Sequence, residues 1–127
     1  MDLRDKILKR QNKNDNEIFE KAKVSILGCG GLGSNVAMIL ARAGIGEIFL
    51  YDFDKVEYSN LNRQNYKISD IGKEKVLATK KINNITMVGD FKSDAKKDGL
   101  YLAYVSIMAS LEALECLKKI RKDYYGR

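Results

Sequence analysis

The stretch Lys23-Val-Ser-Ile-Leu-Gly-Cys-Gly-Gly-Leu-Gly-Ser34 limits what this chain can fold into more than any other segment. Residues 24 to 27 read as a strand of buried type, and Leu32, Val36, Ile39, Leu40 and Ala43 follow at the spacing of a helix with one buried face. Between them Gly28, Gly30 and Gly33 fit G-x-G-x-x-G, with Gly31 and Leu32 inside the motif. Glycines at these positions allow a tight turn, a close approach of backbone to phosphate, and a helix start packed against the strand with its N–H groups aimed at an anion. The same pattern also occurs as a plain strand-to-helix connection. Asp52 weighs toward a nucleotide, because it ends a second strand, Gly46 to Tyr51, where a carboxylate can accept both ribose hydroxyls.

Strand, turn, helix and strand in this order predict a Rossmann-like α/β fold, three-layer, with a short parallel sheet of about three strands joined by right-handed crossovers. The 127 residues read as one domain: a helical arm over 1–22, a nucleotide-binding core over 23–89, and a closing helix over 100–122. In the arm, Leu3, Ile7 and Leu8 have helical spacing, and a second helix is expected from Asp15 to Lys21, capped by Asn14 with Glu17 behind it. The arm is either a subunit contact or a surface helix. Gly44 and Gly46 should end the helix before the second strand.

Composition removes several chemistries. The chain has no histidine, which excludes Ser-His and Cys-His nucleophile pairs and the commonest metal ligand, and no metal-ligating residues are assigned. Cys29 and Cys116 form no C-x-x-C pair, so neither a zinc site nor a disulfide framework is expected, and a reducing cytoplasm is the default. The formal net charge is +6, but the lysines are scattered and not interleaved with aromatics, so no nucleic-acid partner is expected. The charged N-terminus is no signal peptide, and the uncharged run from Leu100 to Leu111 is too short to span a bilayer.

Asp54 is either a second acceptor for sugar or metal or a solvated loop carboxylate. Residues 55–70 are rich in Asn, Ser and charged types, and predict a loop with at most a helical turn at the mouth of the site. In it Arg63 is a candidate phosphate clamp, since a planar guanidinium matches two phosphate oxygens, or else a surface arginine. A helix is expected over 72–84 with Ile71, Ala78, Ile82 and Ile85 on one stripe, and Lys75 falls on that stripe. A lysine turned toward the core is costly unless it meets an anion, although it can also snorkel along the helix edge. A third strand over 85–89, a polar connection over 90–99 and a long helix from Tyr101 to Lys122 complete the chain, with Cys116 on that helix expected to pack rather than react.

Taken together, Gly28-Cys-Gly-Gly-Leu-Gly-Ser, Leu40-Ala-Arg-Ala-Gly-Ile-Gly, Tyr51-Asp-Phe-Asp-Lys-Val-Glu, Ser59-Asn-Leu-Asn-Arg-Gln and Asp70-Ile-Gly-Lys-Glu-Lys-Val resemble the ThiF/MoeB family, adenylyltransferases related to the ubiquitin-activating enzymes. The resemblance covers residues 23 to about 85. It implies ATP with Mg2+ as cofactors, and adenylation of the C-terminal glycine of a ubiquitin-like sulfur-carrier protein; separately, the open edge of so short a sheet and the apolar surface of the last helix predict a homodimer. The resemblance also implies roles: Asp52 on the ribose, Asn60 and Gln64 positioning the nucleotide, Arg63 on the triphosphate, and Lys75 neutralising charge on the phosphates. NAD- or FAD-binding modules share the glycines but have no use for the Asn-Arg-Gln element. The run Val105-Ser-Ile-Met-Ala-Ser-Leu-Glu resembles the family's closing helix, so the chain is identified as an internally shortened member, or as a non-catalytic nucleotide-binding protein derived from one.

Overall fold

The computed structural model describes residues 3–80, 85–87 and 102–126, and for 85–87 and 102–108 the backbone alone. The elements run α1 (Leu3–Ile7), α2 (Lys13–Lys21), β1 (Lys23–Leu27), α3 (Gly31–Ala43), β2 (Glu47–Tyr51), two short 3-10 turns (Tyr58–Asn60 and Ile68–Asp70), α4 (Lys75–Lys80), β3 (Ile85–Met87) and α5 (Leu102–Tyr125). The expected helix end at Asn84, the strand end at Gly89, the connection over 90–99 and Tyr101 lie outside the described residues.

The three strands are parallel in the order β1-β2-β3, with Ile26 beside Leu50 and Ile48 beside Ile85. Side chains alternate across the pleat, so Ile26, Ile48 and Leu50 fall on one face. They join Phe19 of α2, Val36, Ala37 and Leu40 of α3, Val76 of α4, and Ala109 and Ala113 of α5 in a single core. Cys116 and Leu117 of α5 pack against it, as expected for Cys116. Small residues at 109 and 113 let α5 lie close to α3. The opposite face carries Ser25 and Leu27, and Leu27 is 67% exposed. β1 is therefore a strand with one face buried, not both, because it stands at the sheet margin among the described residues.

Several local expectations change. Asn12, not Asn14, caps α2: its side chain accepts from the N–H groups of Asn14 and Asp15, which starts the helix at Lys13 rather than Asp15. Leu8 is buried while Leu3 and Ile7 are exposed. Gly44 caps α3 in the left-handed conformation, φ 94°, as its position predicts. The helix expected from Gly72 starts only at Lys75, since residues 72–75 are drawn into an antiparallel clip with 54–57. In that clip Gly72 N donates to Val56 O at 2.9 Å, Val56 N to Lys73 O at 2.8 Å and Lys75 N to Asp54 O at 2.9 Å. The apolar stripe through Ile71 and Ile85 does not exist, because Ile71 closes a 3-10 turn and Ile85 is in β3. α5 runs on to Tyr125, three residues past the expected end at Lys122. No helix among the described residues is long and apolar enough to cross a membrane.

Candidate functional site

The C-terminal ends of parallel strands leave a crevice where loops can hold a ligand. Here β1 leaves its last residue and turns sharply at Gly28, φ 95°, whose N–H donates to Tyr51 O at 2.7 Å and carries the β1-β2 ladder one step further. That φ is what calls for glycine at 28. Gly33 is required for a different reason. A Cβ there would stand 1.6 Å from Gly28 O, so α3 can approach the turn this closely only with a bare α-carbon. Gly30 is the N-cap of α3 and supplies no side-chain cap, leaving the first-turn N–H groups of Gly31, Leu32 and Gly33 facing the crevice without an intrahelical acceptor.

Asp52 follows β2 directly and lies across this turn. Its Oδ2 accepts from Cys29 N at 2.7 Å and its Oδ1 from Asp54 N at 2.8 Å. Each carboxylate oxygen keeps a further lone pair. The acid is thereby fixed in place by two amides without being used up as an acceptor.

The loop over 57–66 is fastened to the first turns of α3. Asn35 Nδ2 donates to Arg63 O at 3.1 Å and Asn65 N donates to Ser34 Oγ at 3.1 Å. Asn60 is buried, its Oδ1 accepting from Glu57 N at 2.8 Å and its carbonyl from Gln64 N at 2.8 Å, so its side chain shapes the loop. Arg63 bonds within the loop, from Nη1 to Ser59 O at 2.9 Å and Asn62 Oδ1 at 2.8 Å. Its buried Nε has no hydrogen-bond partner. Gln64 is 8% exposed and reaches Gly30, its Nε2 being 3.9 Å from where a Cβ at that glycine would stand. Gln64 Oε1 is also buried and without a partner. Orphaned buried polar atoms are costly, and two of them in one loop beside a helix start are a feature that a bound polar group would relieve.

Lys75 is 7% exposed, and its ammonium stands 3.9 Å from Asp54 Oδ2. The clip between 54–57 and 72–75 puts it there, holding its backbone against Asp54. Asp54 itself is half-exposed. Cys29, in the turn, registers the charges on both sides: burial pushes its thiol up to about 12, Asp52 adds to the rise, and a Thr79 hydrogen bond and the Lys75 ammonium oppose it. Gly28, Gly30, Gly31, Leu32, Gly33, Asp52, Asp54, Gln64 and Lys75 thus converge on one end of the sheet. Asn60 and Arg63 stand in the loop behind. Sequence reasoning passed over Ser34, Asn35, Tyr66 and Thr79, whose polar groups tie these parts together. The available signal was the pair of polar residues opening an otherwise apolar helix.

A second hollow of about 560 Å³ lies at the other end of α3, lined among others by Leu8, Arg42 and Ile45. Arg4, on its wall, already donates to Asn16 O and Gly44 O, so the hollow offers no comparable set of unsatisfied groups.

Among the described residues no three His, Cys, Asp or Glu side chains are grouped to hold a metal ion.

Residues 4–87 match the model of the ThiF family. Over 67 residues the chain is 43% identical to ubiquitin-like modifier-activating enzyme 5 of Caenorhabditis elegans, covering 53% of this chain and 16% of that protein. The corresponding protein of Dictyostelium discoideum is 42% identical over 65 residues, 51% of this chain and 17% of that one. Among solved structures, E. coli tRNA N6-threonylcarbamoyladenosine dehydratase, TcdA, superposes with a TM-score of 0.61 at 33% identity, covering 68% of this chain and 39% of that one. E. coli MccB, solved with ATP, gives 0.54 at 41% identity over 59% of this chain and 24% of that one. The chain spans under a fifth of the length of the curated relatives it matches.

Proposed function

Because the chain belongs to the ThiF family, we propose that its glycine turn binds ATP and that the chain acts in adenylation of a C-terminal carboxylate on a ubiquitin-like protein. In the finer form of this reading, the carboxylate belongs to a sulfur carrier ending in Gly-Gly. The observation that carries the proposal is Lys75: a nearly buried ammonium whose neighbouring carboxylate is half-exposed and 3.9 Å away, placed beside a turn with open amides. A cation held so poorly neutralised in a crevice is suited to a polyanion.

The placement of the converging groups, and the family's motif for Asn60 and Arg63, support the following roles. Asp52 accepts the ribose hydroxyls with its remaining lone pairs. The N–H groups of Gly30, Gly31, Leu32 and Gly33 face the phosphates. Gln64 offers Oε1, and Arg63 offers Nε, to polar groups of the nucleotide. Asn60 keeps the loop in register for both. Lys75 and Arg63 are the charge-stabilising pair, with Asp54 holding Lys75 until the phosphates arrive. The solved relatives crystallised with ATP, TcdA and MccB, support an adenine nucleotide over a dinucleotide. Mg2+ keeps mostly water and phosphate ligands, so here it would travel on the triphosphate rather than in a protein cage.

In the reaction, a carboxylate oxygen of the partner attacks the α-phosphorus, the bond from that phosphorus to the bridging oxygen breaks, and pyrophosphate leaves with the electron pair. No proton has to move. Positioning and charge stabilisation suffice, which suits a chain without histidine. A homodimer fits the exposed Leu27 face and the sheet margin at β1. A second reading, a nucleotide-binding scaffold without turnover, keeps the same parts for Asp52 and the turn amides. Exchange of labelled pyrophosphate into ATP over a panel of ubiquitin-like proteins tests both. Carrier-dependent exchange supports the enzyme. ATP binding without exchange supports the scaffold, and absence of ATP binding overturns both.

A further inference from the structure

Tyr66 has no part in the proposed chemistry, yet its hydroxyl stands between the two halves of the site. It donates to Cys29 O at 2.5 Å and lies 3.1 Å from Thr79 Oγ1, while Thr79 Oγ1 donates to Lys75 O at 2.8 Å. Two hydroxyl hydrogens serve these three contacts, so with Tyr66 donating to Cys29 O the Thr79 hydrogen is shared between Tyr66 Oη and Lys75 O, and the Tyr66–Thr79 contact ties the peptide at the centre of the glycine turn to α4 one turn after Lys75. Thr79 is 1% exposed, and burial also drives the Tyr66 hydroxyl far above the range in which it would ionise, so it stays a donor.

The geometry of a trans peptide gives this chain a consequence. The carbonyl of Cys29 and the N–H of Gly30 belong to one planar unit and point in opposite directions. Tyr66 pins the carbonyl toward the inside of the domain, so the Gly30 N–H is held facing away from Tyr66, toward the crevice. Gly30, on the C-terminal side of this peptide, lowers its resistance to rotation. The same hydroxyl fixes, through Thr79, the turn of helix that carries Lys75.

We infer that Tyr66, with Thr79, is a positioning residue that orients the Gly30 amide and holds Lys75 at a set distance from it, so that amide and ammonium meet the same phosphate chain. This rests on the reading of the turn as an ATP site. It touches no ligand itself.

Tyr66→Phe removes one oxygen and leaves the ring, and Thr79→Val removes the other hydroxyl with little change of volume. ATP binding measured by calorimetry should weaken by about three- to ten-fold in each, the scale of one net hydrogen bond. The double variant should lose no more than the larger single loss, because both cut one chain. Thr79→Ser, which keeps the hydroxyl, should bind as the parent does. Hydrogen exchange of the turn amides at residues 28–33, followed without nucleotide, should quicken in Tyr66→Phe. A merely structural hydroxyl would lower the melting temperature but leave ATP affinity and turn exchange unchanged, and that result overturns the inference. If the parent protein fails to bind ATP, the nucleotide reading falls, and the exchange data alone then decide whether the strut orients the turn.

Discussion

Replacing Lys75 by methionine separates a lysine kept for a ligand from one kept for stability, because the two make opposite predictions. Taking an ammonium out of water costs several kcal/mol even after relaxation. Against that stands Asp54 at 3.9 Å. At an effective dielectric of about 20, two unit charges at this distance attract by about 4 kcal/mol before any discount. Asp54 is half-exposed and open to solvent screening, so the working value is nearer the ~1 kcal/mol of a surface pair. The burial cost is then only partly offset, and methionine, which packs as the lysine stem does and needs no partner, should raise stability by roughly 1 kcal/mol, or about 3–5 °C in a chain of this size. ATP affinity should move the other way. Loss of one charged contact to phosphate is worth ~1.5–3 kcal/mol, which is on the order of 10- to 150-fold in Kd. Differential scanning calorimetry without nucleotide and titration calorimetry with ATP read the two effects on the same preparation. A Lys75→Met protein that melts several degrees lower and binds ATP as the parent does would refute the reasoning outright, since it would make Lys75 part of the fold's own support.

Four further outcomes follow from the geometry. Gly33→Ala puts a methyl 1.6 Å from Gly28 O, with backbone on both sides of the clash, so urea unfolding should show a loss above ~3 kcal/mol, or no folded protein. Asn12→Ala should cost about 1 kcal/mol through the lost cap of α2, whereas Asn14→Ala should cost little; equal losses would contradict the assignment of the cap. Cys29 is fully buried with its thiol pushed up to about 12, and burial also raises Cys116. At neutral pH native protein should therefore take up maleimide on at most Cys116, while unfolded protein takes it up on both; since thiolate is the reactive form, labelling of Cys29 should stay negligible up to pH 9. Asp52→Asn keeps one good acceptor but removes the charge that receives Cys29 N and Asp54 N, so nucleotide affinity should fall by about ten-fold with the fold intact by circular dichroism.

What the sequence disclosed and what it hid divide along a physical line. The order of strand, turn, helix and strand was legible because each element carries its own period, and the glycines at 28, 33 and 44 each sit where φ or a close approach demands them. Long-range backbone pairing leaves no such mark. Nothing in Asp70-Ile-Gly-Lys-Glu-Lys-Val announces that 72–75 pairs antiparallel with 54–57, and so the helix was drawn three residues too early and Lys75 was reached by an apolar stripe that is not there. Of the two alternatives open for it, the inward one is found, and the clip, not the helix face, turns it inward. The cap of α2 was misplaced by two residues because Asn12 and Asn14 are chemically alike, and only the path of the chain decides which one precedes the helix. Tyr66 was invisible as well, since a tyrosine in a polar loop gives no hint that its hydroxyl reaches a carbonyl far back in the sequence.

Binding and turnover occupy different parts of this molecule, and that shapes how the two readings of its function relate. Among the described residues, the groups proposed to hold the nucleotide lie between Gly28 and Lys75, on elements braced by one core and by the clip. Adenylyl transfer asks for more: the attacking carboxylate must be brought in line with the α-phosphorus, opposite the departing pyrophosphate. The face of the sheet bearing Leu27 carries no helix among the described residues, and the strand beneath it is the margin of the sheet. A second copy or a partner built against that margin would cover both the unpaired strand edge and the exposed leucine. If a second copy covers this face, turnover depends on self-association while ATP affinity does not. Charged substitution at Leu27, as in Leu27→Glu, should abolish any exchange activity together with self-association and leave ATP binding within about two-fold of the parent. Exchange that persists in a monomeric Leu27→Glu protein would show that the carboxylate arrives by another route.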